Sequence, residues 1–268
     1  MSLGRALTAL QRRIANVPQR WAWRREAGPG SPNYRRLVAL RNRYIGQRCF
    51  IMGNGPSLSR MDLSPLAGEF TFGLNRIYLN FERMGFVPTF YVAVNPLVIE
   101  QCAADIARIP TTRFVDWGQR RHFAPYPDQE TLIYLWHTYR PHFSRDLTKG
   151  VWGGATVTYT ALQIAYYLGF EQVILIGVDH NFTTRGTPHQ VVVSSGGDPD
   201  HFDPNYFGKG FRWQLPDLRT SEQAYRMAKQ AFEADGRRVL DATVGGKLDV
   251  FEKVDYYSLF STSDRGGT

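Results

Sequence analysis

The chain has few cysteines and no long apolar run. Its 268 residues include only two cysteines, Cys49 and Cys102, which offer no metal-site spacing and are typical of a reducing compartment. No apolar stretch reaches the roughly 18 residues that a membrane-spanning helix needs. The N-terminus also lacks the continuous apolar core of a signal peptide. We therefore expect a cytoplasmic protein without a transmembrane segment.

The histidines show no metal-binding pattern either. No two of the six histidines stand at the i, i+4 spacing of a helical zinc site, and no cysteine supports one. The chain also has no internal repeat and no low-complexity tract. The sequence therefore shows no pattern of a protein-bound zinc site.

Acidic residues are nearly missing from the first 48 positions. This segment holds eleven arginines and one acid, Glu26, for a net charge of +10. Since the whole chain carries +8, the remaining 220 residues have 21 basic and 23 acidic side chains, a net charge of −2. The positive charge therefore belongs to the N-terminal segment, which argues against nucleic-acid binding by the body of the protein.

Apolar residues recur at helical spacing within this basic segment, and Trp21 and Trp23 follow directly. An arginine-rich amphipathic helix beside tryptophans suits an anionic membrane surface. Residues 1–30 are thus a candidate for peripheral binding at the inner face of the cytoplasmic membrane. The alternative is a helix that packs on the domain or on another subunit of a homo-oligomer. The recurring apolar positions are Leu3, Leu7, Leu10, Ile14 and Val17.

Beyond the basic segment, strand and helix patterns alternate. We divide the chain into a basic helical extension, 1–47, and a single α/β domain, 48–268. Alternation of this kind predicts a Rossmann-like, doubly wound, mostly parallel sheet. Residues 183–220 are too long for an ordinary connection, and their glycine, proline, aspartate and histidine content predicts an active-site lid. The predicted strands are 48–53, 70–75, 89–94, 112–116, 131–136, 172–178 and 237–241, and the predicted helices are 57–66, 77–84, 97–108, 154–168 and 221–235.

The most informative segment is a short apolar run that ends in Gly53-Asn54-Gly55-Pro56-Ser57. The two glycines permit positive φ and close backbone approach, and Pro56 fixes the turn that follows. Ser57 can cap a helical turn and leave free backbone N–H groups for a phosphate. The pattern indicates a strand, a tight turn and a ligand-binding loop.

Two later predicted strands also end on asparagines, Asn75 and Asn95. Together with Asn54 they would place three amides along one edge of a parallel sheet, where open α/β sheets bind ligands. An amide can read a base edge, a ribose hydroxyl or a phosphate oxygen. For a single asparagine an ordinary turn residue is the alternative, but three in this setting favour a site.

A second glycine pair precedes the predicted helix 154–168. Backbone N–H groups at Gly153 and Gly154 would favour an anion, and Thr156 could add a hydroxyl contact. A packing requirement for the glycines is the alternative. Asp179 ends the strongest predicted strand, where α/β folds place functional side chains, and a capping role is its alternative.

The motif at 53–57, followed by Asn75 and by Asn95-Pro96, resembles the bacterial sialyltransferases of glycosyltransferase family 42. It is similar as well to the wider DUF115 group, which includes the 6-hydroxymethylpterin diphosphokinase MptE-like proteins. Gly153-Gly154-Ala155-Thr156 and the strand leading to Asp179 agree, so the resemblance spans roughly residues 48–182. Residues 201–210 and 243–251 resemble DUF115 members more than sialyltransferases.

The resemblance implies an enzyme that uses a nucleotide-activated sugar, CMP-linked, as co-substrate. The motif at 53–57, Asn75 and Asn95 would hold the nucleotide, and residues 153–156 with Asp179 would contact the donor sugar or its phosphate. Transfer to a glycan acceptor in surface-polysaccharide or glycoconjugate synthesis would proceed by one inverting displacement without a metal.

Removing a proton from a sugar hydroxyl requires a base, and histidine suits that work. The sialyltransferases carry this histidine in a Tyr-x-Gly-His setting, whereas the matching segment here ends in Lys209. His201 is therefore the first candidate base, and His180 is the second. Tyr206, Lys209 and Arg212 are candidates to neutralise the phosphate of a departing nucleotide.

Two other functions remain open. Three carboxylates in the lid, Asp198, Asp200 and Asp203, fit metal-assisted pyrophosphoryl transfer by an MptE-like diphosphokinase that uses ATP and Mg²⁺. Lys209 in the place of the family's histidine also fits a non-catalytic module that binds a nucleotide or a sugar.

Overall fold

A computed structural model describes residues 17–126, 130–184 and 186–260. Its centre is an eight-stranded sheet in the order β12-β11-β8-β1-β2-β3-β4-β5, and every neighbouring pair is parallel. The predicted doubly wound α/β fold is confirmed. The strands are β1 (Arg48–Met52), β2 (Phe70–Leu74), β3 (Phe90–Ala93), β4 (Thr112–Asp116), β5 (Leu132–Leu135), β6 (His137–Thr138), β7 (Val151–Trp152), β8 (Gln172–Ile176), β9 (Val191–Val193), β10 (Arg212–Gln214), β11 (Arg238–Asp241) and β12 (Glu252–Lys253).

Helices cover both faces of the sheet, which explains why the central strands are continuous apolar runs. One face packs against α2, α5 and α6, and the other packs against α4 and aromatic residues of the lid. The helix α5 is almost wholly buried, since it lies between the sheet and α6. The helices are α1 (Val17–Ala27), α2 (Pro32–Leu40), α3 (Phe81–Met84), α4 (Pro96–Ala107), α5 (Val157–Leu168) and α6 (Leu218–Glu233).

The strand order reverses at β1. The chain runs outward from β1 through β2 to β5, and then returns to place β8 on the other side of β1. Met52 at the end of β1 lies in register with Ile176 at the end of β8. The loops that follow these two strands therefore diverge from one point, and such switch points are where open α/β sheets form their ligand crevice.

Three predicted elements differ from the structure. The predicted helix 77–84 begins as a 3-10 turn, Ile77–Asn80, and only α3 is α-helical. Residues 57–66 form two 3-10 turns, Pro56–Arg60 and Ser64–Gly68, instead of one helix. Pro65 explains the break because it has no N–H to continue an α-helix through this segment. The predicted lid ends earlier than 220, since α6 begins at Leu218 with Asp217 as its N-cap. The lid also contains a short antiparallel hairpin, β9–β10, which the sequence analysis missed.

The predicted amphipathic helix at 3–17 lies outside the described residues except for its last position. The following helix, α1, packs on the domain through Trp23, whose ring lies 5.9 Å from Trp117 and 6.2 Å from Trp136. The next helix, α2, is joined to the edge strand β5, because the Asn33 amide donates to Tyr134 O at 3.1 Å and accepts from Tyr134 N at 2.7 Å. Residues 17–40 thus pack on the α/β domain. Among the described helices, none is both long and apolar enough to cross a bilayer.

Candidate functional site

A cavity of about 350 Å³ opens at the carboxyl edge of β1, β2, β3 and β8, under the lid. The loops after β1, β2 and β3 bring the three predicted asparagines to its wall together. The predicted site residues that line the cavity are Gly53, Asn54, Gly55, Asn75, Asn95, Gly153, Ala155, Thr156, Asp179, His180, His201 and Tyr206. Those that do not line it are Pro56, Ser57, Gly154, Lys209 and Arg212.

The glycine loop after β1 packs against the loop after β8. Gly53 N donates to Ile176 O at 2.7 Å, and Gly55 N donates to Gly177 O at 2.8 Å. A Cβ atom on Gly55 would stand 2.0 Å from Asp179 Oδ2, so only glycine fits there. The prediction of free backbone N–H groups for a phosphate is therefore wrong at these two positions, because the neighbouring loop already occupies them.

Ser57 and Asp179 form the side-chain link between the same two loops. The Ser57 hydroxyl donates to Asp179 Oδ2 at 2.6 Å, and Ser57 N donates to Asp179 Oδ1 at 3.0 Å. Asp179 thus caps the 3-10 turn Pro56–Arg60 from across the switch point, which matches the capping alternative. Ser57 is buried away from the cavity and supports the loop instead of contacting a ligand.

The three asparagines differ in what they offer to a ligand. The Asn54 amide donates to Leu74 O at 3.1 Å, and its Oδ1 atom is buried with no partner among the described residues. Asn75 Oδ1 is buried and lacks a described partner in the same way. Asn95 Oδ1 already caps α4 by accepting from Leu97 N and Val98 N. Two carbonyl oxygens on cavity-lining residues therefore lack a hydrogen-bond donor among the described residues.

The first turns of α4, α5 and α6 all reach the cavity wall. At α5, Thr156 is the N-cap, and its hydroxyl accepts from Thr158 N at 3.3 Å. Helix N-termini carry partial positive charge and favour an anion. Gly154, in contrast, has a packing role, since a Cβ atom there would stand 2.6 Å from both Ala224 and Tyr159.

His201 is held in a fixed orientation beside the cavity. Its Nδ1 atom pairs with Asp198 Oδ2 at 2.8 Å, and its ring stacks on Tyr206 with centroids 3.9 Å apart. Asp198 Oδ2 also accepts from Phe207 N at 3.2 Å, which fixes the carboxylate. When Nδ1–H donates to Asp198, Nε2 has its lone pair free, as a general base requires.

His180 lines the cavity with its Nε2 atom already engaged. It lies 3.2 Å from Glu222 Oε1, and this hydrogen bond lowers the pKa of the Glu222 carboxyl. The backbone of His180 has a positive φ of 52°. Each of the two histidines thus pairs one ring nitrogen with a carboxylate, and His201 differs in that its ring also stacks on Tyr206.

Two further histidines line the cavity, and the sequence analysis did not select them. His137 is the first residue of β6, two positions after the end of β5, and its Nε2 atom is buried without a partner among the described residues. Burial lowers the pKa of His137, although Asp116, 4.0 Å from its Nδ1 atom, opposes the shift. His189 lies 3.3 Å from Asp217. The available signal for His137 was its position just after the predicted strand 131–136.

The predicted phosphate-stabilising residues have other partners. The Tyr206 hydroxyl accepts from Arg76 N at 3.3 Å, and burial raises the pKa of Tyr206. Lys209 is exposed outside the cavity, and Arg212 pairs with Glu100 at 3.1 Å on the surface. Of the described residues that line the cavity, none is lysine or arginine. The described wall thus offers helix N-termini and histidines to an anion.

The lid aspartates hold the lid together. Asp200 accepts from the backbone and hydroxyl of Thr183, at 2.7 Å and 2.9 Å, and also from Thr184. These hydrogen bonds lower the pKa of Asp200 even though its burial opposes the shift. Asp203 accepts from Asn205 N at 2.7 Å in a turn. Within the described ranges, no three His, Cys, Asp or Glu side chains form a group that could hold a metal ion.

Fold and site together define a Rossmann-like α/β protein with a lidded cavity at the switch point of its sheet. The sequence profile of the family described as 6-hydroxymethylpterin diphosphokinase MptE-like matches residues 31–185, more than half of the chain. The chain belongs to this MptE-like family, so the predicted DUF115 resemblance is confirmed.

One solved structure to which this chain is similar is that of the MAf glycosyltransferase from Magnetospirillum magneticum AMB-1. It aligns with a TM-score of 0.49 and 16% sequence identity, over 85% of this chain and 38% of that chain. The present chain therefore spans well under half the length of that protein. No curated protein sequence matches this chain significantly.

Proposed function

We propose that this protein is a glycosyltransferase that moves a sugar from a nucleotide-activated donor to a glycan acceptor. The observation that carries the proposal is a set of three buried polar atoms on residues that line one cavity: Asn54 Oδ1, Asn75 Oδ1 and His137 Nε2. None of them has a partner among the described residues, and a buried unsatisfied acceptor costs about 1–3 kcal/mol. Sugar and ribose hydroxyls would satisfy all three, since each hydroxyl donates a hydrogen bond.

The anionic part of such a donor fits the other wall of the cavity. The N-terminus of α5, with Thr156 as its cap, supplies partial positive charge beside the asparagines. A CMP-linked nonulosonic acid carries both a phosphate and a carboxylate, and the resemblance of the 53–57 motif to sialyltransferases favours this donor. In the proposed reaction the protein needs no metal cofactor.

The proposed reaction is a single displacement. The acceptor hydroxyl loses its proton to His201 Nε2 while its oxygen forms a bond to the anomeric carbon of the donor. The bond from that carbon to the nucleotide phosphate breaks, and the nucleotide leaves with the electron pair. Asp198, bonded to the other ring nitrogen, stabilises the imidazolium that forms. Attack from the face opposite the leaving group inverts the anomeric centre.

A second candidate is pyrophosphoryl transfer from ATP to a pterin-like alcohol, with Mg²⁺ bridging the phosphates. The family description favours it. So does the aromatic side of the cavity, where the rings of Phe207 and Trp213 stack with centroids 5.0 Å apart. A flat heterocycle can stack on such a surface.

A thermal-shift panel with CMP, CDP, UDP, GDP, ADP and ATP, each in Mg²⁺ and in EDTA, separates the two functions. Ligand at about 100 times its Kd adds roughly 2.7 kcal/mol of stability. Stabilisation by CMP or CDP that survives EDTA, followed by turnover of a CMP-sugar, supports the glycosyltransferase. Stabilisation by ATP only with Mg²⁺ supports the diphosphokinase. If no nucleotide binds, both enzymatic proposals fail and the non-catalytic module remains.

A further inference from the structure

The helix α1 carries two tryptophans with opposite environments. Trp23 is 5% exposed, packed against Trp117 and Trp136, whereas Trp21 is 72% exposed. Residues two apart in an α-helix point about 200° away from each other. Packing of α1 on the domain therefore directs Trp21 outward, where its large apolar ring stands in solvent.

The surface of α1 around Trp21 is basic. The helix contains three arginines, Arg20, Arg24 and Arg25, and a single acid, Glu26. Arg20 and Arg24 are exposed and have no ion-pair partner among the described residues. The wider segment 17–48 contains eight arginines and the same single acid, for a net charge of +7.

We propose that this surface, formed by the exposed side chains of α1 around Trp21, Arg20 and Arg24, docks on a lipid bilayer with anionic headgroups. Exposed arginines attract an anionic surface, and a tryptophan is suited to the boundary between headgroups and acyl chains. A second copy of the same surface is disfavoured because like charges would face each other. A duplex nucleic acid, whose bases are stacked inside the helix, would leave the exposed Trp21 ring without an apolar partner.

The position of α1 links this surface to the cavity. Trp117 directly follows β4, and Trp136 directly follows β5, so Trp23 holds α1 at the carboxyl edge of the sheet. The residue after Trp136 is His137, which lines the cavity. A bilayer bound by α1 would therefore lie beside the site. If the proposed function holds, the acceptor is one that the membrane presents, such as a lipid-linked glycan.

The test is co-sedimentation of the full chain with vesicles of phosphatidylcholine alone or with phosphatidylglycerol replacing part of it. Binding is expected only with phosphatidylglycerol, and it should weaken as salt rises. One basic residue near an anionic surface contributes about fivefold in affinity. The double variant Arg20→Glu/Arg24→Glu should thus lose about 30-fold or more. Trp21→Ala should lose several-fold, because the exposed ring no longer enters the interface.

The matched control is Arg60→Glu/Lys247→Glu, which makes the same charge change at two exposed positions outside this surface and should bind nearly as the parent does. Point variants are preferred to deletion of 1–30, since deletion would uncover the Trp117–Trp136 cluster. Equal losses in the control and the α1 variants overturn the proposal, as does unchanged binding in the α1 variants. The proposal is also overturned if the full chain binds duplex RNA but not vesicles. It is overturned as well if the chain self-associates and Trp21→Ala abolishes that self-association. Thermal shifts of the same variants with nucleotides test the proposed function separately, because the α1 substitutions leave the cavity unchanged.

Discussion

Ser57 and Asp179 are 122 positions apart in the chain, and the Ser57 hydroxyl donates to Asp179 Oδ2 across 2.6 Å. This contact joins the loop after β1 to the loop after β8 where the strand order reverses. The glycines beside Ser57 let the two loops approach, since their N–H groups donate to Ile176 and Gly177. Gly53, Asn54 and Gly55 line the cavity, and the contacts of this loop with the loop after β8 maintain the shape of the switch point.

Removing the Ser57 hydroxyl should destabilise the fold. Ser57→Ala leaves the Asp179 carboxylate short of one hydrogen bond in a buried setting, and we expect a loss of about 1–3 kcal/mol in the free energy of unfolding. Ser59→Ala is the control, because its hydroxyl bonds Pro56 O at the surface. Urea unfolding measures the free energy of unfolding of both variants. Equal losses in Ser57→Ala and Ser59→Ala would show that the Ser57–Asp179 hydrogen bond does not stabilise the fold.

Close packing at Gly55 should make this glycine irreplaceable. A Cβ atom in Gly55→Ala would stand 2.0 Å from Asp179 Oδ2, so we expect a loss of about 1–3 kcal/mol of stability. Gly68→Ala is the control, since a Cβ atom there meets nothing within 4 Å. That substitution should be neutral or stabilise by up to about 1 kcal/mol. Thermal unfolding of both variants and the parent tests this prediction. A Gly55→Ala variant as stable as the parent would contradict the close packing at this position.

Asn75 should contribute to ligand binding through its side chain. Its φ is 46°, which glycine also adopts, so Asn75→Gly removes the free Oδ1 acceptor without backbone strain. We expect the Kd of the stabilising nucleotide or its sugar conjugate to rise about fivefold, the effect of one hydrogen bond of about 1 kcal/mol. Asn42→Gly, at φ 55° on the surface, should leave the Kd unchanged. Calorimetric titration measures the Kd of the parent and of both variants. Equal Kd values for the parent and Asn75→Gly would exclude a hydrogen bond from the ligand to Asn75 Oδ1.

His201 and Asp198 should act together in turnover. His201→Ala is expected to lower kcat by about 10²–10⁴-fold with the nucleotide thermal shift preserved, because the ring acts on the acceptor hydroxyl. Asp198→Asn should lower kcat less, since Tyr206 still stacks on the ring while the bond that orients Nδ1 is weakened. Initial rates with a CMP-sugar measure both. A variant lacking the His201 ring that turns over at the parental rate would remove it from the mechanism.

His137 should make stability depend on pH near neutrality. Burial lowers its pKa in the folded protein below the ordinary value of 6.5, so the unfolded chain takes up a proton first as pH falls. Stability from His137 is therefore full above pH 6.5 and decreases as pH falls toward the folded pKa. His137→Gln should flatten this part of the curve, and His122→Gln, in the 3-10 turn Trp117–His122 outside the cavity, should not. Urea unfolding across this pH range tests it, and parallel curves for parent and His137→Gln would contradict the expectation.

Much of the architecture was predictable because it rests on local patterns. The alternation of strands and helices predicted the doubly wound sheet, and asparagines at three strand ends predicted one cluster, which the structure places on adjacent strands. The glycine loop was misread since its partners, Ile176 and Gly177, lie more than a hundred residues away. Lys209 and Arg212 were selected for their charge, and charge alone does not tell whether a lid residue faces inward.

The sequence by itself determined the fold class, the edge of the sheet that carries the site and the charge of the N-terminal segment. Those features depend on hydrophobic periodicity, strand ends and composition, which each stretch of chain carries on its own. Only the tertiary structure decided which polar atoms remain free for a ligand. That choice depends on which groups already bond across the sheet, as Asp179 does with Ser57, while Asn54 and Asn75 keep an unpaired oxygen. It decided also that Trp23 is buried and Trp21 exposed, because only the packing of α1 distinguishes two tryptophans of equal hydrophobicity.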